Sequence, residues 1–294
     1  MLAGEAPVQQ ELLQAGSGPT AAANALREPK VLIGLAILLP IVVAAVIGPL
    51  IAPYDPKKLG VGPSLAGPSA EFLLGTDFFG RDMFSRILLG ARTSVLVALV
   101  VGAGTLTFAL PLGLAAGFFG GWVDTLTMRA ADVILSIPWL LVALVLAAML
   151  GFGLTTVIVA LVVIYTPQLA RVTRNAVLTV RSRDYVTAAR AIGESTPSIL
   201  LRYVLPNAYF PVLVLLTSMM GYAILGEAAI SYLGMGVQQP NTSWGLELAE
   251  SQSYFAVAPH LAVFPGLAIA LFVFGMNFLG DGLGDFLGRV GQRR

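Results

Sequence analysis

Residues 181–207 read RSRDYVTAARAIGESTPSILLRYVLPN, a charged island in an otherwise strongly apolar chain. The run divides into a short helix, a glycine break and a second helix that opens at a proline. Asp184 suits the cap of a helix over 185–192, where a carboxylate meets exposed N–H groups. Gly193 suits the left-handed position that ends such a helix. Thr196 is placed to cap the next helix, with Pro197 at its first position. Pro206 and Pro211 mark where that helix bends toward the next apolar run. The pattern predicts a compact knob over 185–193, bracketed by arginines. A solvated loop is the plainer alternative, and the well-placed caps weigh against it.

Outward from the island, the composition sets the solvent. Of 294 residues 57% are hydrophobic and only 11% charged, where soluble domains carry about a quarter charged residues. Mean hydropathy is +0.85. One soluble core cannot hide this much apolar sequence, so lipid must be the solvent for most of it. Six runs are long and apolar enough to be read as membrane spans: 31–53, 94–119, 133–152, 154–170, 207–226 and 261–280. None contains Asp, Glu, Lys or Arg. The third and fourth are joined so tightly at Gly151-Phe152-Gly153 that they should form a transmembrane hairpin. The expected fold is therefore an all-α integral membrane protein with six transmembrane helices. Residues 1–30 read as a disordered tail, 31–288 as the membrane domain and 289–294 as a second tail.

Charge orients the bundle. The 170–206 region carries Arg171, Arg174, Arg181, Arg183, Arg190 and Arg202, and the C-terminal tail adds Arg289, Arg293 and Arg294. Basic segments stay in the cytoplasm, which puts the island and both termini inside. The segment 227–260 has Glu227, Glu247 and Glu250 with no Lys or Arg, and falls outside. The misfit is 54–92, placed outside despite Lys57, Lys58, Arg81, Arg86 and Arg92; its acids Asp55, Glu71, Asp77 and Asp82 nearly balance it. Within it, Phe84, Ile87, Leu88, Ala91 and Val95 recur at helical spacing. That reads as a helix along the membrane interface leading into the second span, or as a docking surface.

Several chemistries are excluded. There are no cysteines and a single histidine, His260, so neither thiol chemistry nor a self-contained histidine metal site is expected. A net charge of +1 gives no bulk attraction to nucleic acid. The lysines Lys30, Lys57 and Lys58 follow no GxxxxG stretch, so the chain has no phosphate-binding loop of its own. Ion-coupled carriers use ionisable groups at membrane depth, and the spans have none. An external engine is implied. Gly113 and Gly117, four apart, are spaced for close helix packing.

The island resembles the EAA loop of ABC-importer permeases, EAA-x3-G-x9-I-x-LP. Here it reads Thr187-Ala188-Ala189, Gly193, Tyr203 and Leu205-Pro206 with every spacing kept; Thr187 replaces the usual Glu and Tyr203 the usual Ile. Gly75-Thr76-Asp77-Phe78-Phe79-Gly80-Arg81-Asp82 with Ser85-Arg86 and Gly90-Ala91-Arg92 is similar to a block of the dipeptide/oligopeptide/nickel permeases. So are Phe119–Asp124, Ser231-Tyr232-Leu233-Gly234, Ser243-Trp244-Gly245 and Asn277–Leu283. The pattern is most like the C-type dipeptide subunit. The resemblance implies a type I importer fold in the cytoplasmic membrane of a prokaryote. It implies half of a pathway for di- or oligopeptides, completed by a homologous second permease. Two ATPase subunits, carrying ATP and Mg that this chain does not bind, would act on the knob through Asp184, Tyr185, Thr187, Ala188, Ala189, Arg190, Gly193, Leu205 and Pro206. An extracytoplasmic binding protein would deliver cargo, with Asp77, Arg81, Asp82, Glu227 and Trp244 as candidate outer contacts. The alternatives are the same machine carrying nickel or another small solute, or an ion-coupled secondary transporter.

Overall fold

The computed structural model describes residues 28–292. The expected N-terminal tail lies outside them except for residues 28–30, and residues 293–294 of the expected C-terminal tail also lie outside. Helix α1, Pro29–Ile51, begins with Pro29 and Lys30. Helix α2 spans Met83–Phe119, α3 Gly121–Ser136, α4 Trp139–Leu150 and α5 Leu154–Arg181. The short helices α6, Asp184–Ala191, and α7, Thr196–Ile199, follow. A π-helical turn over Leu200–Val204 leads into α8, Leu205–Tyr232. Helix α9, Trp244–Ser251, and α10, His260–Gln292, complete the order. Among the described residues the only β pairing is an isolated bridge between Thr76 and Asp82.

Five helical stretches are each long and apolar enough to cross a membrane: α1, α2, α5, the run Thr196–Tyr232, and α10. The remaining expected span, 133–152, is not a straight helix. It is divided between α3 and α4, which meet at 90°. The break falls at Ile137-Pro138, where Ile137 is extended (φ −89°, ψ 130°). Proline disfavours the helical region for the residue before it. Pro111, Pro167, Pro211 and Pro265 of the other spans lie inside continuous helices. Helix α4 alone has 12 residues, about 18 Å at 1.5 Å per residue, against a hydrocarbon core of about 30 Å.

Two further boundaries move. The expected interfacial helix over 81–95 is the first part of α2, a single 37-residue helix. Its apolar stripe faces protein rather than a membrane surface, with Leu88, Ala91 and Val95 buried. The fourth span runs past residue 170 to Arg181. Arg171 and Arg174, expected in a loop, lie on its last turns and pair with Asp132 and Asp124 of α3.

Glycines set the helix seams. A Cβ on Gly113 would lie 2.4 Å from the Thr173 Cβ, and one on Gly117 2.7 Å from the Val177 Cβ. These gaps hold α2 against α5, and only a residue without a side chain fits them. Gly34 of α1 meets the Gly275 carbonyl and Leu279 of α10 in the same way. Lys30 and Asp285 then join the two helices by an ion pair of 2.7 Å.

The chain direction gives the bundle two ends. The C-termini of α2 and α5 and the start of α8 share one end with α6 and α7. The starts of α2, α5 and α10 and the end of α8 share the other with the segments 52–82 and 233–259. These are called the knob end and the loop end.

Candidate functional site

At the knob end, α6 is held by a small apolar cluster. Val186 and Ala189 are buried against Phe118 of α2, Val177 and Val180 of α5, and Ile199, Val204 and Ala208. Helical spacing puts residues 186 and 189 on one face. The remaining side chains point outward: Asp184, Tyr185, Thr187, Ala188 and Arg190 are exposed. Arg190 also lies over the Phe118 ring, 5.1 Å from its centroid. Arg181 donates to the Gly117 and Phe118 carbonyls (3.1 and 2.7 Å), neutralising the last turn of α2.

The caps fall one residue from their expected places. Arg183 precedes the first turn of α6, and Asp184 lies within that turn without a capping hydrogen bond. Ser195, not Thr196, precedes α7. The glycine is where expected. Gly193 has φ +82°, its N–H reaches the Arg190 carbonyl (3.0 Å), and the Glu194 N–H reaches that of Ala189 (3.1 Å). Both hydrogen bonds of a Schellman stop are present. Ser198 donates to Glu194 (2.6 Å), and the Tyr203 hydroxyl hydrogen-bonds the same carboxylate, holding it below its usual range, with Ser198 the larger cause. Leu205 N–H reaches the Leu200 carbonyl five residues back, and Pro206, exposed, follows in the first turn of α8. Pro206, which has no N–H to donate, thus falls in the first turn of α8, and the helical stretch runs continuously from Thr196 to Tyr232.

At the loop end the sequence-selected residues are inside the protein. Arg81 is 2% exposed, Asp82 1%, Glu227 0% and Trp244 2%, with Asp77 also buried. Asp82 caps α2 through the Ser85 N–H (2.9 Å) and hydroxyl (2.6 Å). Arg81 pairs with Asp77 and reaches Gln239 (2.8 Å) and Glu250 (3.0 Å). Arg86, fully buried, donates to Glu247 (2.8 Å) and to the Pro56 carbonyl (3.1 Å). Trp244 donates through Nε1 to the Ile87 carbonyl (3.0 Å), and its backbone N–H donates to the Ser94 hydroxyl (3.1 Å). Glu227 accepts from Ser231 (2.7 Å) and Ser243 (2.6 Å). Burial pushes the Glu250 carboxyl above its usual range, Glu247 adds to the push, and Gln239, Arg86 and Arg81 oppose it.

These pairs tie the basic segment 54–92 to the acidic segment 227–260. The two central arginines of 54–92 are cancelled internally by Glu247 and Glu250 of the acidic segment, so the two segments form one unit. Sequence reasoning missed Gln239, Glu247 and Glu250 as partners; the signal was the surplus of cations in one segment and their absence from the other. Above the network, Phe78 and Phe79 are exposed, and Phe78 stacks on Tyr254 (4.9 Å, 13°). A cavity of about 260 Å³ opens there, bordered by Phe78, Arg81, Gln239, Glu250 and Tyr254. Among the described residues no group of three His, Asp or Glu is arranged to hold a metal.

Comparison with known proteins gives the frame for these two ends. Residues 109–290 match the family described as "Binding-protein-dependent transport system inner membrane component". Residues 26–68 match the N-terminal TM domain of oligopeptide transport permease C. The dipeptide transport system permease protein DppC of Alkalihalophilus pseudofirmus is 38% identical, covering 87% of this chain and 84% of its own. The di/tripeptide permease DppC of Pseudomonas aeruginosa is 42% identical over 86% of both chains. The glutathione permease GsiD of Escherichia coli is 39% identical over 84% of this chain and 82% of its own. An inward-facing structure of the MetNI methionine ABC transporter superposes with TM-score 0.56 at 19% identity, over 71% of this chain and 97% of that one, and shares the fold. The chain is a member of the binding-protein-dependent transport system inner membrane components, the permease subunits of ABC importers.

Proposed function

We propose that this chain forms half of the translocation pathway of an ATP-driven importer of di- or oligopeptides, with both termini and the knob in the cytoplasm. A homologous second permease completes the path, two ATP-binding subunits seat on the knob, and an extracytoplasmic binding protein meets the loop end. The observation that carries the reading is the exposed outer face of α6, Thr187, Ala188 and Arg190, on a helix whose other face is docked to the ends of α2, α5 and α8. Force applied there reaches three long helices directly. Relatives named for dipeptide, di/tripeptide and glutathione transport support a short peptide as cargo. The buried outer residues Asp77, Arg81, Asp82, Glu227 and Trp244 serve the binding protein by shaping the surface that carries Phe78 and Phe79.

The test is purification of the chain from its native membrane in mild detergent, with identification of what accompanies it, followed by reconstitution. Recovery of a second permease and P-loop ATPases, with ATP-dependent peptide uptake, is the expected result. Recovery of the chain alone with proton-dependent uptake would overturn the reading.

A further inference from the structure

Midway along the bundle, one open face carries polar groups where lipid would not tolerate them. Tyr165 lies 11 residues into α5 and Tyr222 lies 10 residues from the end of α8. At 1.5 Å per residue both are about 15 Å from the loop end, near the middle of a core of about 30 Å. The Tyr165 hydroxyl lies 3.6 Å from where a Cβ on Gly226 would be, and Gly226 is one turn beyond Tyr222. Gln168, one turn below Tyr165, is exposed. Tyr222 is 49% exposed. Neither the Gln168 amide nor the Tyr222 hydroxyl has a hydrogen-bond partner among the described residues.

Tyrosine ordinarily sits at the membrane–water boundary, where its hydroxyl stays wet. An unpaired amide in hydrocarbon is strongly disfavoured. Exposed apolar residues elsewhere on the bundle, such as Leu99 of α2, need no such explanation. The α5 stripe continues through Asn175 and Thr179 toward the knob, both exposed. Tyr165, Gln168, Asn175 and Thr179 are themselves uncharged, and the nearest charge on this side of α5, Arg171, is paired with Asp132.

We infer that Tyr165, Gln168 and Tyr222 form the mid-membrane wall that this chain contributes to the aqueous pathway, and that they contact the amide groups of the passing peptide. The inference rests on the importer reading. Because the amide group recurs along any peptide, such a wall passes cargo without selecting its side chains or its charge.

The chain has no cysteine, which makes single-cysteine labelling unambiguous. The variants Gln168→Cys, Tyr222→Cys and Leu99→Cys are assembled with cysteine-free partners in lipid nanodiscs and exposed to a membrane-impermeant maleimide. Labelling at 168 and 222, with none at 99, is expected. Labelling at 168 and 222 no faster than at 99 would overturn the inference, whether lipid or the second permease covers them. In parallel, Tyr222→Phe and Gln168→Leu should lower uptake of alanyl-alanine about two- to tenfold, the worth of one hydrogen bond, with complex assembly unchanged. Unchanged uptake in both variants would also overturn it. Failure of the unsubstituted complex to take up any peptide would count against the importer reading instead, leaving the labelling result to decide the wall.

Discussion

The two ends of this molecule are built on opposite plans. The loop end takes its charges inside, where Arg81 and Arg86 are closed off by Asp77, Glu247 and Glu250. The knob end keeps its charges outside and holds α6 by two small apolar contacts, Val186 and Ala189. A buried ion network has few alternative arrangements once desolvated, so the loop end is suited to hold one shape. A short helix on a narrow apolar footing with a polar face outward is suited to be gripped. Charged residues can thus make a lock or a handle, depending on which side of the surface they fall.

The largest effect should come from breaking the lock on one side. Arg86→Met leaves Glu247 buried without its cation and should cost about 3–5 kcal/mol, seen as a lowered thermal transition of the purified protein. Adding Glu247→Leu should recover much of that loss; no recovery would show that the two do not act as a pair. At the knob, Ala189→Asp places a charge in the footing of α6 and should cost about 3 kcal/mol, read as lost hydrogen-exchange protection over 184–192. Its neighbour sharpens the contrast. Ala188→Glu lies on the exposed face and should change stability by no more than about 0.5 kcal/mol, while uptake per ATP hydrolysed falls to background. Gly193→Val should cost about 1–3 kcal/mol through its positive φ; nothing lies within 4 Å of a Cβ there, so the effect is conformational and Gly193→Asn should be milder.

The smallest effect is in pH, and it differs in sign between the ends. Glu194 is held below its ordinary 4.5, so its contribution to stability is present above that pH and is lost as pH falls through the lowered value. Glu250 is pushed above 4.5, so its contribution is full below 4.5 and is lost as pH rises through the raised value. Hydrogen exchange corrected for intrinsic rates should therefore show the α9 region gaining protection on acidification from pH 7 toward 4.5 while the α6–α7 turn holds steady. Parallel loss at both ends would break the comparison.

Much of this was legible from the chain. Apolar runs without charges mark where the long helices pass, and five of the six lie in single helices long and apolar enough to cross a membrane, although α2 and α5 extend beyond their runs into charged sequence. Gly193 was readable because only one backbone conformation ends a helix in that way, and Gly113 and Gly117 because their spacing matches a helix seam. The break at Pro138 looked like one among several intramembrane prolines, since sequence does not say which proline the surrounding helices tolerate. The burial of Arg81 and Trp244 was hidden because they have partners far along the chain: Arg81 meets Glu250, 169 residues away, and Trp244 meets Ile87, 157 residues away. Ala188 and Ala189 look alike in sequence, and only the footing of α6 separates a gripped residue from a packed one.

The most direct test of the account is a crosslinking map of the assembled complex from two single-cysteine variants, Ala188→Cys at the knob end and Phe78→Cys at the loop end. The account predicts that the first crosslinks to an ATP-binding subunit and the second to the extracytoplasmic binding protein, with no exchange between them. An Ala188→Cys variant that assembles and transports but crosslinks to no ATP-binding subunit would contradict it.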